Sequence, residues 1–236
     1  MFFSRQKNRK KEGIFLNKNN NDLIKELKEK GIDNKSILDA ISKVPRELFV
    51  NEVSSQYAYE NIALPVECEQ TISQPYVVAY MIDCLKLKKT DKILEVGTGT
   101  GYQTAIISYL CQKIYTIEIL DKLFNLAKIN IGKLGIKNVI HKLGNGANGW
   151  GEKILFDAII VSAASEKIPL KLLQNLKNNG KLIIPIFFFT IKLFEFVNDI
   201  DFTGEKYKFS ITGINILFFF RNYVGSFLSN HKRWSI

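Results

Sequence analysis

Acidic residues are in short supply in this chain. Its 23 Asp and Glu stand against 33 Lys and Arg, a formal net charge of +10 at pH 7. Histidine is scarcer still, with only His141 and His231, so a histidine-rich metal centre is excluded and no metal is expected. The three cysteines, Cys68, Cys84 and Cys111, are odd in number and lack metal-ligand spacing. They read as reduced thiols, mostly in the core, as in a cytoplasmic chain. No apolar run reaches the length of a membrane span. The longest, at 182–191, contains Pro185 and stops at Lys192, so no membrane partner is expected. Met1-Phe2-Phe3-Ser4-Arg5 has no apolar stretch behind its charge, which argues against a secretory signal.

The missing acid leaves an excess of positive charge that would suit nucleic acid. Most of it, however, is lysine scattered among asparagine and isoleucine along the whole chain. It is concentrated only at residues 5–11 and at His231-Lys232-Arg233. Basic termini are commonly solvated tails, so nucleic acid is not an expected partner. A chain of 236 residues can bury one substantial core. One domain with an extension, acting as a monomer, is therefore expected.

What the chain does have is glycine in one telling place: Leu94-Glu95-Val96-Gly97-Thr98-Gly99-Thr100-Gly101-Tyr102. Residues 92–96 read as a buried strand, and apolar residues recur at helical spacing after Gly101. A strand turning through glycines into a helix brings backbone close to a nucleotide. Dinucleotide phosphate loops read G-x-G-x-x-G, whereas this one reads G-x-G-x-G with Glu95 just ahead of it. A carboxylate there suits a cationic nucleotide, and S-adenosylmethionine carries an ammonium and a sulfonium but no phosphate. Glu118, about twenty residues further on at the end of the next apolar run, is placed to accept from ribose hydroxyls.

Around this stretch the pattern alternates. Two short amphipathic helices are expected at 21–30 and 36–44, closed by Gly31 and Pro45. Residues 46–72 read as irregular with little strand. Ser73-Gln74-Pro75 then opens a helix to about residue 85, with Ser73 suited to the N-cap and Pro75 to the first turn. From Lys92 the spacing predicts strands at 92–96, 113–118, 138–143, 156–161 and 181–185. Helices are expected at 101–111, 121–134 and 169–176, and a glycine-rich loop at 144–153. Two further extended runs fall near 191–197 and 209–219.

Outside the glycine turn, Val44-Pro45-Arg46-Glu47-Leu48-Phe49-Val50, Tyr57-Ala58-Tyr59-Glu60, Ala63-Leu64-Pro65 and Gln70-Thr71-Ile72-Ser73-Gln74-Pro75-Tyr76 follow in order. With residues 156–164 and Leu182-Ile183-Ile184-Pro185, they make the chain resemble the protein-L-isoaspartate O-methyltransferases over about residues 35–187. The resemblance implies an α/β fold: a doubly wound, Rossmann-like sheet of seven strands with the last one antiparallel, and an N-terminal helical extension. It implies a basic tail at 1–20, a helical cap with a substrate-side loop at 21–90, a methyltransferase core at 91–225 and a basic tail at 226–236. It also implies a reaction, methyl transfer from S-adenosylmethionine to the free carboxylate of isoaspartyl residues in damaged proteins. That nucleophile is already an anion, so positioning and desolvation should do most of the catalysis.

By the same resemblance, Ser73 is the active-site serine, and Thr71 and Ile72 flank it on the substrate side. Gly97, Thr98, Gly99 and Gly101 approach the cofactor, Glu118 takes its ribose and Gly146 lies beside the adenine. Glu95 acts indirectly by ordering the loop. Asn145 stands where the family has an aspartate, and its neutral oxygen is the weaker acceptor by about 1 kcal/mol. Ile186-Phe187-Phe188-Phe189 replaces the glycine that usually follows the fifth strand, and residues 190–236 resemble the family only faintly. Three alternatives stay open at this level: another acceptor such as RNA, a homologue without turnover, and Ser73 as a helix cap only.

Overall fold

A computed structural model of the chain describes residues 18–151, 153–163, 165, 167–187, 191–201 and 204–215. The basic segments at 5–11 and 226–236 lie outside the described residues, as does most of the expected 1–20 tail. Its last part does not behave as a tail. Asn19 accepts from the backbone of Asn21 and Asp22 and so caps helix α1 (Asn20–Glu29), while Lys18 pairs with Glu26 at 3.0 Å and Glu60 at 3.1 Å. A capping asparagine starts the helix earlier than the apolar spacing alone suggests.

Helix α2 (Lys35–Lys43) buries Ile37, Leu38, Ala40 and Ile41. Short 3-10 turns at Arg46–Phe49 and Glu52–Tyr57 lead to a two-residue antiparallel pair, β1 (Leu64–Pro65) with β2 (Thr71–Ile72). Helix α3 (Pro75–Leu85) follows. Its N-cap position is held by Gln74, with no side-chain cap bond. Ser73 is therefore not the cap, a correction to the reading of Ser73-Gln74-Pro75. Proline at the first helical position has its φ pre-set for the helix and brings no N–H of its own to satisfy.

The main sheet contains β3 (Lys92–Val96), β4 (Lys113–Glu118), β5 (Val139–Leu143), β6 (Phe156–Val161), β7 (Leu176–Phe187), β8 (Ile191–Asp201) and β9 (Gly204–Asn215), in the order β5-β4-β3-β6-β7-β8-β9. The first five run parallel. Crossovers through α4 (Tyr102–Ser108), α5 (Asp121–Lys133) and α6 (Leu170–Gln174) allow this. Two neighbouring pairs in the sheet are antiparallel, β7 with β8 and β8 with β9. The strand that opposes the other six is thus the sixth rather than the last. Only three residues separate β7 from β8 and two separate β8 from β9, too few for a crossover to a parallel neighbour.

Successive residues face opposite sides of the sheet. Ile93, Ile114, Ala158, Ile160 and Ile183 pack towards α2, α3 and α4, in one core that also holds Leu38, Ile82 and Ile106. Leu94, Val96, Ile117, Ile159, Val161, Leu182 and Ile184 face the other side, with Trp150, Phe156, Leu172 and Leu173. Strands buried on both faces explain the near-continuous apolar runs. The seventh element departs from its expected span. Residues 177–180, polar and including Asn179 at φ 59°, bulge within β7, because Phe156 pairs with Leu176 while Ala158 pairs with Lys181. An insertion of that kind reads in sequence as a turn ending a helix. Among the described residues, no helix is long and apolar enough to cross a membrane.

Candidate active site

The site grows from the end of β3. Gly97, Gly99 and Gly101 take φ of +93°, +57° and +98°, a left-handed region that side chains rarely adopt. The turn is pinned by Gly97 N–H donating to Ile117 O at 2.9 Å and Gly101 N–H to Thr98 O at 3.0 Å. Gly99 N–H donates to Glu118 Oε2 at 2.8 Å, and the N–H groups of Ile119 and Leu120 donate to Glu118 Oε1 at 2.9 and 3.0 Å. One carboxylate therefore holds both the glycine turn and the entry to α5. Its own backbone oxygen receives Gly144 N–H at 2.8 Å, which brings the 144–149 loop beside it.

In that loop Gly146 packs on the core so closely that a Cβ there would sit 2.2 Å from Val96 Cγ1. No side chain fits. Asn145 Oδ1 accepts from Ala147 N–H at 2.8 Å and starts the turn at Gly146–Asn148. One oxygen lone pair of Asn145 is thereby engaged locally, and the second remains.

Beneath the turn lies Glu95, fully buried. It accepts from Gln103 Nε2 at 3.0 Å, from Thr104 Oγ1, and from Thr116 Oγ1 at 2.7 Å. Gln103 also donates to Ser162 Oγ at 2.7 Å, and Thr116 Oγ1 lies 2.6 Å from Thr98 Oγ1. Burial pushes the Glu95 carboxyl up to about 7, against the pull of the Thr104, Thr116 and Gln103 donors. These bonds tie β3 to β4 and α4 beneath the glycine turn. Gln103, Thr104 and Thr116 were not singled out from the sequence. The available signal was the polar pair Gln103-Thr104 in a helix whose seven residues are all buried.

On the other side, Thr71 is exposed, Ile72 buried and Ser73 half-buried. Thr71 and Ile72 pair with Pro65 and Leu64. The Ser73 hydroxyl has no hydrogen-bond partner among the described residues, whereas the Ser73 carbonyl accepts from Arg46 at 3.1 Å. Arg46, fully buried, also lies against the ring of Tyr102, the residue after Gly101. The sequence hid Arg46's importance: it is one charge in an ordinary-looking Val44-Pro45-Arg46-Glu47 run. The described residues hold no cluster of His, Cys, Asp and Glu that could bind a metal, and Cys68, Cys84 and Cys111 form no disulfide.

A parallel sheet whose first core strand turns through glycines into a helix, with a carboxylate ending the neighbouring strand, defines the Rossmann-like methyltransferase class. Within that class the assignment is specific. A family model described as protein-L-isoaspartate(D-aspartate) O-methyltransferase matches residues 17–202, and the chain belongs to that family. It is 48% identical over 165 residues to the protein-L-isoaspartate O-methyltransferase of Parvibaculum lavamentivorans, covering 70% of this chain and 74% of that one. Against the enzyme of the same name from Dictyoglomus turgidum it is 51% identical over 164 residues, with the same coverage. A solved Plasmodium falciparum structure, described as a protein-L-isoaspartate O-methyltransferase in complex with S-adenosyl-L-homocysteine, superposes with a TM-score of 0.71. That match has 27% identity and covers 82% of this chain and 95% of that one.

Proposed function

We propose that this chain transfers the methyl group of S-adenosylmethionine to the free α-carboxylate of L-isoaspartyl residues in damaged proteins, as a protein-repair enzyme. The observation that carries the reading is that Arg46 bridges Thr71-Ile72-Ser73-Gln74-Pro75, whose Ser73 hydroxyl is unengaged among the described residues, and Tyr102, the residue directly after the glycine turn. Membership of the family supports it.

The residues suit the cofactor. Glu118 uses three acceptor positions on Gly99, Ile119 and Leu120, out of roughly four on a carboxylate. It can take one ribose hydroxyl directly, and a second in exchange for a loop N–H. Gly146, with no room for a Cβ, borders the adenine, and Asn145 Oδ1 offers its second lone pair to the adenine amino group. Gly97, Thr98, Gly99 and Gly101 supply close backbone, held in shape by Glu95. S-adenosylmethionine, when bound, would supply a methyl group on a sulfonium sulfur, which leaves as a neutral thioether as a carboxylate oxygen bonds the methyl carbon.

The chain's own contribution is placement. Ser73 donates its hydroxyl proton in a hydrogen bond to the substrate carboxylate and fixes the attacking oxygen. Thr71 and Ile72 border the substrate beside it. No side chain has to remove a proton, because the nucleophile is already ionised at neutral pH. The enzyme works in the cytoplasm as a monomer, with isoaspartyl proteins and peptides as its partners. Methyl-labelled cofactor and an isoaspartyl peptide test this: label should enter the peptide and leave it as methanol in mild base, as an ester must. Base-stable label, or none, would overturn the reading.

A further inference from the structure

Arg46 is fully buried, and among the described residues it makes no ion pair. Its guanidinium is committed to four backbone carbonyls. Nη1 donates to Ala58 O at 2.7 Å and Glu60 O at 3.2 Å, and Nη2 donates to Ile62 O at 2.9 Å and Ser73 O at 3.1 Å. Burial pushes its pKa down to about 10, so it stays charged at neutral pH. The guanidinium carbon lies 5.5 Å from the centre of the Tyr102 ring, and Phe49 meets the same ring edge-on at 5.6 Å.

The three carbonyls at 58, 60 and 62 lie in a stretch with no strand or helix to receive them. The Ala58 bond is buried and the other two are half-buried; carbonyls withdrawn from water need donors, and arginine offers several in a rigid planar fork, of which Nε alone has no partner among the described residues. A second set of bonds continues past Ser73. Gln74 Nε2 donates to Asn61 O at 2.6 Å, and Asn61 Oδ1 accepts from Tyr76 N–H at 3.0 Å. The 58–62 stretch is thus tied to the Ser73 carbonyl through Arg46 and directly to Gln74 and Tyr76 beyond it, while the serine hydroxyl is left for another partner. The opposite side of Arg46 rests on the first residue of α4, directly after the glycine turn.

We propose that Arg46 is a positioning residue for methyl transfer, setting Ser73 and the 58–62 stretch at a fixed distance from the glycine turn. The proposal rests on the reading given under Proposed function. Its core is geometry rather than charge, so Arg46→Lys, which keeps the cation but loses the fork, should fail almost as badly as Arg46→Met.

Both variants can be compared with the native chain by calorimetry with S-adenosylhomocysteine and by kinetics with an isoaspartyl peptide, counted per S-adenosylhomocysteine-binding site. Arg46→Lys should bind S-adenosylhomocysteine within about twofold of the native chain, while kcat falls on the order of a hundredfold, the scale of a 1 Å misplacement. A lower melting temperature with kcat per binding site unchanged would reduce Arg46 to a stabilising residue. Loss of S-adenosylhomocysteine binding by Arg46→Lys would also contradict the proposal, because cap and cofactor site would then stand or fall together. Should Arg46→Met not fold, Arg46→Lys alone decides. A native chain inactive on the peptide would instead remove the functional reading, a result distinct from either.

Discussion

At the residue scale, the ligand role proposed for Glu118 falls on a side chain that already organises the turn. Its carboxylate already holds Gly99, Ile119 and Leu120. Glu118→Ala should therefore weaken S-adenosylhomocysteine binding by about 1–3 kcal/mol, since it removes charge-assisted bonds and loosens the turn that presents the ligand. Titration calorimetry measures this directly, and unchanged affinity would remove Glu118 from the site. Ser73 poses a cleaner test. With no side-chain bond among the described residues and no capping role to lose, Ser73→Ala should leave the melting temperature and cofactor affinity nearly unchanged while methyl transfer falls at least tenfold. Full activity per molecule would show that the hydroxyl does not touch the acceptor. The positions of Glu118 and Ser73 could be picked out in the sequence, because each ends or follows a recognisable pattern. Arg46 was not, because its partners are carbonyls, which leave no trace in side-chain identity.

At the scale of elements, the Glu95 network joins β3, β4, α4 and the segment after β6 through Thr116, Thr104, Gln103 and Ser162. Burial raises the Glu95 carboxyl from its ordinary value of 4.5 to about 7. A raised acid pKa means that the folded chain holds a proton the unfolded chain has released. Its contribution to stability is therefore fully present below about pH 4.5 and is lost as pH rises through 7. The size is about 3 kcal/mol by linkage. Melting temperatures of the native chain and Glu95→Gln, measured from pH 4.5 to 8, should show this as a difference that shrinks or reverses with pH. A difference independent of pH would mean that Glu95 does not titrate in that window. Parallel strands at 92–96, 113–118 and 156–161 were readable because both faces are buried and the runs are short and apolar. The long β7 was not, since Lys177-Asn178-Asn179-Gly180 has the composition of a turn and only pairing with β6 makes it a bulge.

The whole molecule is a methyltransferase sheet preceded by helices and irregular turns, and the proposed chemistry needs the Ser73 segment and the glycine turn held together. The sheet order follows from the crossover helices, so the fold class could be read from the alternation of strands and helices. The direction of the sixth strand could not be read from residue pattern, because connection length rather than side chains decides it. The net charge of +10 pointed to nucleic acid, whereas the family match points to protein. These alternatives can be set against each other in one assay. Methyl-labelled cofactor is offered with an isoaspartyl peptide, with the same peptide carrying normal aspartate, and with RNA, and the initial rate is measured for each. The expected result is rapid transfer to the isoaspartyl peptide and background rates with the other two. Equal rates on the two peptides, or faster transfer to RNA, would contradict it.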